Sequence, residues 1–180
     1  LLLNQYKLDL HDSKYEDNFN CQNLSHIVAE ILYITANALS SQHIYTFSNF
    51  YLNLSKYLNK NFYSFDTLLA ENFYKTNNFS KAKEIYNKVG KKGKIFLWYA
   101  AKQNAKILIK EEKKKKALKT LTNAYEKLSE KSIYEKFDYA QFLKNNDKFE
   151  DSIKLYTEVI QEIKKDHSLY PKATDGRGVA

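Results

Sequence analysis

Small and large apolar residues alternate along this chain at two fixed distances, and the alternation predicts paired helices. The clearest unit is Leu69-Ala70-x-x-Phe73, then Asn77-Asn78, then Ala82-x-x-x-Tyr86 with Val89. Residues three and four positions apart share one helical face, and Asn tolerates the left-handed conformation that ends a helix. The unit therefore reads as helix, reversal, helix. The same skeleton returns as Ala105-x-x-Leu108, Ala117-x-x-x-Leu121 and Ala124. It returns again as Ala140-x-x-Leu143, Asn145-Asn146-Asp147, Ser152-x-x-x-Tyr156 and Val159. Upstream, Ala36-x-x-Leu39, Ser40-Ser41, Ser48-x-x-x-Leu52 and Ser55 fit as well.

The first small residues, Ala36, Ala70, Ala105 and Ala140, are separated by 34, 35 and 35 positions. The second small residues, Ser48, Ala82, Ala117 and Ser152, each follow 12 positions later. Small side chains at two points let antiparallel helices approach closely, while larger neighbours fill the groove beside them. A single hairpin cannot bury its apolar face alone, so the repetition predicts an all-α solenoid of stacked hairpins. The expected organisation is four hairpins over 24–165, at about 24–60, 61–93, 94–130 and 131–165. Residues 1–23 read as an irregular segment or the remnant of a preceding repeat. Residues 166–180 read as a loop and the start of a fifth, truncated repeat after Pro171, with Gly178 in the small position.

This skeleton resembles the tetratricopeptide repeat, whose pattern is W-x2-L-G-x2-Y, then A-x3-F, then P, over ~34 residues. The second unit carries the likeness best, with Leu69-Ala70-x-x-Phe73 for the first part and Ala82-x-x-x-Tyr86 for the second. Leu32, Asp66, Ala101 and Lys136 stand where the family has Trp, and no Pro closes a unit. The stretch from Ala29 to Phe79 also resembles tetratricopeptide proteins of alphaproteobacteria. The resemblance implies a right-handed solenoid that binds a peptide or helix of a partner protein in its concave groove. That groove, lined by the first helix of each hairpin, would contain Tyr33, Asn37, Thr67, Glu71 and Tyr74. Tyr99, Lys102, Lys106, Tyr134, Phe137 and Gln141 would continue it. Some relatives clamp a C-terminal carboxylate with Lys and Asn; here Asn37 is present but Tyr33 occupies the Lys position, so no such clamp is expected.

Composition agrees with helices. One Pro and four Gly among 180 residues are too few for a sandwich or barrel. Aromatic residues make up 15%, so the buried surfaces should be rich in rings. Leu1 is not a start methionine and the chain contains no Met, which reads as an internal fragment of a longer protein. No run approaches the ~18 apolar residues of a membrane span, and the compartment stays open.

A net charge of +8 invites a nucleic-acid reading. Arg177 is the only arginine, however, whereas nucleic-acid sites lean on arginine for bidentate and stacking contacts. Lys, Asn, Ile, Tyr and Phe share A/T-rich codons, so base bias accounts for the lysines equally well. An RNA-reading helical repeat would need a regular pair of polar residues per unit, and the corresponding positions vary among Tyr, Thr and Lys. The remaining alternative is a docking arm of an enzyme whose catalytic part lies outside the chain.

No catalytic, metal or cofactor site is expected. His11, His26, His43 and His167 form no zinc-binding pattern, and His26 with Glu30 reads as a helix-surface pair. Cys21 has no His nearby. Gly90-Lys91-Lys92-Gly93-Lys94 lacks the spacing of a phosphate loop and reads as a turn with solvated lysines. Lys113-Lys114-Lys115-Lys116 opens a helix with unfavourable charge and reads as a solvated turn.

Overall fold

In the computed structural model, which describes residues 19–180, the predicted reversals are built from one recurring backbone device. His43 (φ 64°), Asn77 (φ 59°), Glu112 (φ 60°) and Asp147 (φ 61°) each adopt the left-handed conformation. They are spaced by 34, 35 and 35 residues, the same steps as the small residues. The residue after each donates its N–H five positions back: Ile44 to Leu39 (2.9 Å), Asn78 to Phe73 (2.8 Å), Lys113 to Leu108 (2.8 Å) and Lys148 to Leu143 (3.0 Å). This is the Schellman arrangement, which satisfies carbonyls left open at a helix end. Asn77 takes the role its sequence suggests. Ser40 and Ser41 remain helical, and Asn145 stays right-handed while Asp147 makes the turn.

Between these turns run nine helices among the described residues: α1 (Leu24–Ser41), α2 (Tyr45–Leu58), α3 (Ser64–Lys75), α4 (Phe79–Val89), α5 (Lys94–Lys110), α6 (Lys114–Glu126), α7 (Ile133–Lys144), α8 (Phe149–Glu162) and α9 (Tyr170–Gly178). No strand occurs among them. Several starts are capped by side chains. Asn23 accepts from the Ser25 N–H at 2.9 Å, and Ser132 with Glu135 forms a reciprocal capping box before α7. The chain divides into two compact units, one ending at Ile107 and the other beginning at Leu108.

In the first unit α1 packs along α2, α3 along α4, and α2 also against α3. Ala29, Ala36, Leu52, Phe65 and Leu69 form one core cluster; Ala70, Ala82, Tyr86, Ala100 and Ile107 form a second. A polar bridge runs through the first hairpin and α3. Asn72 is fully buried, and its amide donates to Ser48 Oγ and Asn49 Oδ1 at 2.8 Å each, while accepting from Ser40 Oγ at 2.6 Å. Every polar atom of that amide is therefore satisfied, as a buried amide requires.

In the second unit α7 packs along α8 and α8 along α9. Its core gathers Ala140, Tyr156, Val159 and Ala173. Between α6 and α7, the Tyr125 and Tyr139 rings stack at 4.3 Å and the Thr122 and Tyr139 hydroxyls bond at 2.8 Å. Across both units all eight small residues of the repeat, Ala36 through Ser152, are fully buried.

The C-terminal helix departs from expectation. It begins at Tyr170 with Pro171 in its first turn, where a missing N–H costs nothing. Gly178 does not hold the close approach, because a Cβ there would meet nothing within 4 Å. Gly176 holds it instead: a Cβ would lie 2.5 Å from Cζ of the buried Tyr156 ring. Spacing alone favoured the wrong glycine. The expectation for residues 1–23 falls largely on 1–18, outside the described residues.

Candidate functional site

In the first unit the anticipated side chains sit on three successive first helices. Tyr33 and Asn37 lie one turn apart on α1, Thr67, Glu71 and Tyr74 on α3, and Tyr99, Lys102 and Lys106 on α5. The structure brings Tyr33, Glu71 and Tyr99 within electrostatic reach of one another. Burial, above all, and then the Glu71 carboxylate raise the Tyr99 hydroxyl to about 12. Tyr33 is raised by burial and then by Glu30 and Glu71, with a hydrogen bond to Ser64 working the other way. A neutral hydroxyl is favoured wherever water is removed or a carboxylate lies close.

Tyr86, from α4, completes the group. Its hydroxyl is pushed far above the usual phenol range by burial, then by Tyr99 and Glu71, and the two hydroxyls share a hydrogen bond. Sequence spacing assigns Tyr86 to packing alone, since only its ring position is periodic; the reach of its hydroxyl to Tyr99 is a tertiary fact. The arrangement presents one exposed carboxylate beside three protonated phenols.

Several of these residues also hold the fold. The Tyr33 ring packs against Phe62 (5.8 Å) and Phe65 (5.4 Å), and Tyr74 against Phe79 (6.0 Å). The Thr67 hydroxyl donates to the Ser64 carbonyl at 2.8 Å. Asn37, Glu71 and Lys106 are exposed, and Lys102 is half-buried. In the second unit, Tyr134 is exposed with its ring 6.2 Å from that of His167, and Gln141 is exposed. Phe137 is a packing residue there, 5.7 Å from the Tyr156 ring.

A basic cleft of about 460 Å³ lies elsewhere on the first unit, lined by Lys56, Lys60, Tyr63, Asp66, Lys88, Lys91 and Lys92. Lys56 pairs with Asp66, and Lys92 sits 4.7 Å over the Tyr63 ring. Lys56 and Lys88 occupy the last turns of α2 and α4, where positive charge complements the helix dipole. Gly90–Lys92 is a short 3-10 turn, and Gly93 follows at φ 152°, a conformation only glycine adopts readily. The glycine–lysine segment is thus an inter-helix turn.

Among the described residues no group of three or more His, Cys, Asp or Glu side chains is placed to hold a metal ion. His26 Nδ1 accepts the Asn20 N–H at 3.1 Å, which makes it part of the entry to α1. Cys21 is exposed. Lys113 reaches Glu111 at 2.9 Å. No described helix is long and apolar enough to cross a membrane.

No family model and no curated protein matches this sequence. Among solved structures the chain is similar to YrrB, a TPR protein with an unusual peptide-binding site. The two share 19% identity at a TM-score of 0.50, over 82% of this chain and 73% of YrrB. At that identity the likeness speaks for the fold, which is an all-helical, tetratricopeptide-like repeat of antiparallel hairpins.

Proposed function

We propose that this chain is a protein-interaction module that grips a peptide or helix of a partner protein on the face carrying Tyr33, Glu71 and Tyr99. The observation that carries the reading is the exposed Glu71 carboxylate within reach of protonated Tyr33, Tyr86 and Tyr99 hydroxyls. Tyrosine supplies large, stiff contact area together with a polar tip, which suits it to peptide recognition. Glu71 would take a basic side chain or amide donors of the ligand, and Asn37 and Lys106 would fix its register. The peptide-binding site ascribed to YrrB points the same way.

The same proposal includes the four-hairpin division at about 24–60, 61–93, 94–130 and 131–165, stacked as a right-handed solenoid. It extends the binding face to Tyr134, Phe137 and Gln141, and includes the alphaproteobacterial affinity of Ala29–Phe79. No catalytic role is assigned to any residue.

The test is selection of binders from a displayed peptide library, followed by hydrogen-exchange mapping of the bound chain, with a nuclease-treated control. Slowed exchange over Tyr33–Asn37, Thr67–Tyr74 and Tyr99–Lys106 supports the reading. Retention of nucleic acid in place of peptides, falling steeply with salt, overturns it.

A further inference from the structure

The first hairpin carries a second apolar surface that its own core does not use. On α1, Leu24, Ile27, Ile31 and Ile34 are exposed; on α2, Phe47, Phe50, Leu54 and Tyr57 are exposed. At 3.6 residues per turn, the first set lies nearly opposite the buried Ala29 and Ala36, and the second is turned well away from Ser48, Leu52 and Ser55. Tyr33 meets Phe62 and Phe65, and Asn72 of α3 bonds Ser48 and Asn49, so both helices turn their other flank toward α3. The two stripes therefore share the side of the hairpin that faces away from α3.

We infer that this side is a homodimer interface, on which the first hairpin of a second copy packs about a two-fold axis. Three observations favour a second copy over another occupant. Both stripes step by three, four and three residues, the spacing of a helix–helix seam, so the face is shaped for a pair of helices carrying that same step. A second copy supplies such a pair. The whole chain bears +8, yet from Leu24 to Leu58 the only Asp, Glu, Lys or Arg residues are Glu30 and Lys56. Two copies therefore meet there without the repulsion their other surfaces would impose. Finally, the stripes, with Tyr57 78% and Leu24 73% exposed, offer area on the scale a stable dimer needs. A standard interface buries about 800 Å² per partner, and eight large side chains that are 36–78% exposed are of that order. Patches of that size on monomers mark interaction surfaces, and the two-fold arrangement uses one patch twice.

The test is sedimentation equilibrium of the full 180-residue chain, with Ile31→Glu and Phe50→Glu variants and Lys119→Glu as an outside control. Wild type and Lys119→Glu are expected at twice the 21.2 kDa chain mass. Each interface variant should raise the dissociation constant by about 100-fold or more while keeping its helical circular dichroism. A wild type that stays monomeric at all concentrations overturns the inference. Hydrogen exchange on α1 and α2 with and without residues 1–18 would then show whether that segment covers the face. A dimer that survives both glutamates, or assembly that grows beyond dimers, overturns it as well.

Discussion

The Ser152 hydroxyl donates to the Ala140 carbonyl across 2.8 Å, joining the two small residues of one hairpin twelve positions apart. Ser48 and Ala36 repeat the contact at 2.8 Å in the first hairpin. Where the second hairpin uses Ala82, these two use Ser, and the hydroxyl is absorbed by a carbonyl of the facing helix. Helices this close have room for an oxygen only if it is bonded.

The two serines should differ in importance. Ser152→Ala removes one buried hydrogen bond and should cost about 1 kcal/mol. Ser48→Ala also strips a partner from the Asn72 amide and should cost about 2 kcal/mol, and Asn72→Ala about 2–3 kcal/mol. Urea unfolding measures all three. Equal, negligible losses would show that the Asn72 bridge is not part of the stability of this unit.

The left-handed residues of the turns predict changes of opposite sign. Glu112 bears a Cβ at φ 60°, so Glu112→Gly removes that strain, less the entropy glycine loses on folding. The net gain should be about 0.5 kcal/mol, whereas Glu112→Val should cost about 1–2 kcal/mol. Thermal melts of both variants check the signs.

Gly176 and Gly178 separate cleanly. Gly176→Ala drives a methyl into the buried end of the Tyr156 ring and should cost about 1–3 kcal/mol. Gly178→Ala points into open space and should be neutral within about 0.5 kcal/mol. Paired melting curves distinguish them; the reverse order would return the packing role to Gly178.

These cases show what the sequence could and could not disclose. The eight small residues were legible because they recur at fixed spacing, and all eight are fully buried. Asn77 was legible because its type suits its backbone. His43 and Glu112 were not, since the Schellman bonds hold the turn whatever side chain stands there. Asn72 sits mid-helix without a periodic counterpart, and only tertiary structure reveals its three partners. For the candidate face, helical spacing placed Tyr33, Glu71 and Tyr99 on first helices, but not the Tyr86 hydroxyl that reaches in from α4. Nor does an apolar pattern tell which stripe is exposed; that of Phe47, Phe50, Leu54 and Tyr57 is visible only in the structure.

Alkaline pH should weaken the first unit through its tyrosines. In the unfolded chain these phenols titrate at 10.0, while Tyr99 holds its proton to about 12 and Tyr86 longer. The unfolded state then binds fewer protons, so this contribution is whole below about pH 10 and declines as pH rises toward about 12. Urea midpoints across that window should fall for wild type and fall less steeply for a Tyr86→Phe/Tyr99→Phe double variant. Identical slopes would mean that other groups govern the alkaline limit.

The most direct test of the central claim is an equilibrium titration of a selected peptide against wild type, Glu71→Lys and the Lys119→Glu control. Glu71 is exposed, so its replacement should leave the melting temperature unchanged. The Tyr33–Glu71–Tyr99 face predicts about tenfold or greater weakening by Glu71→Lys and no change for the control. Equal affinity in all three proteins would contradict it, and would place peptide recognition away from the tyrosine face.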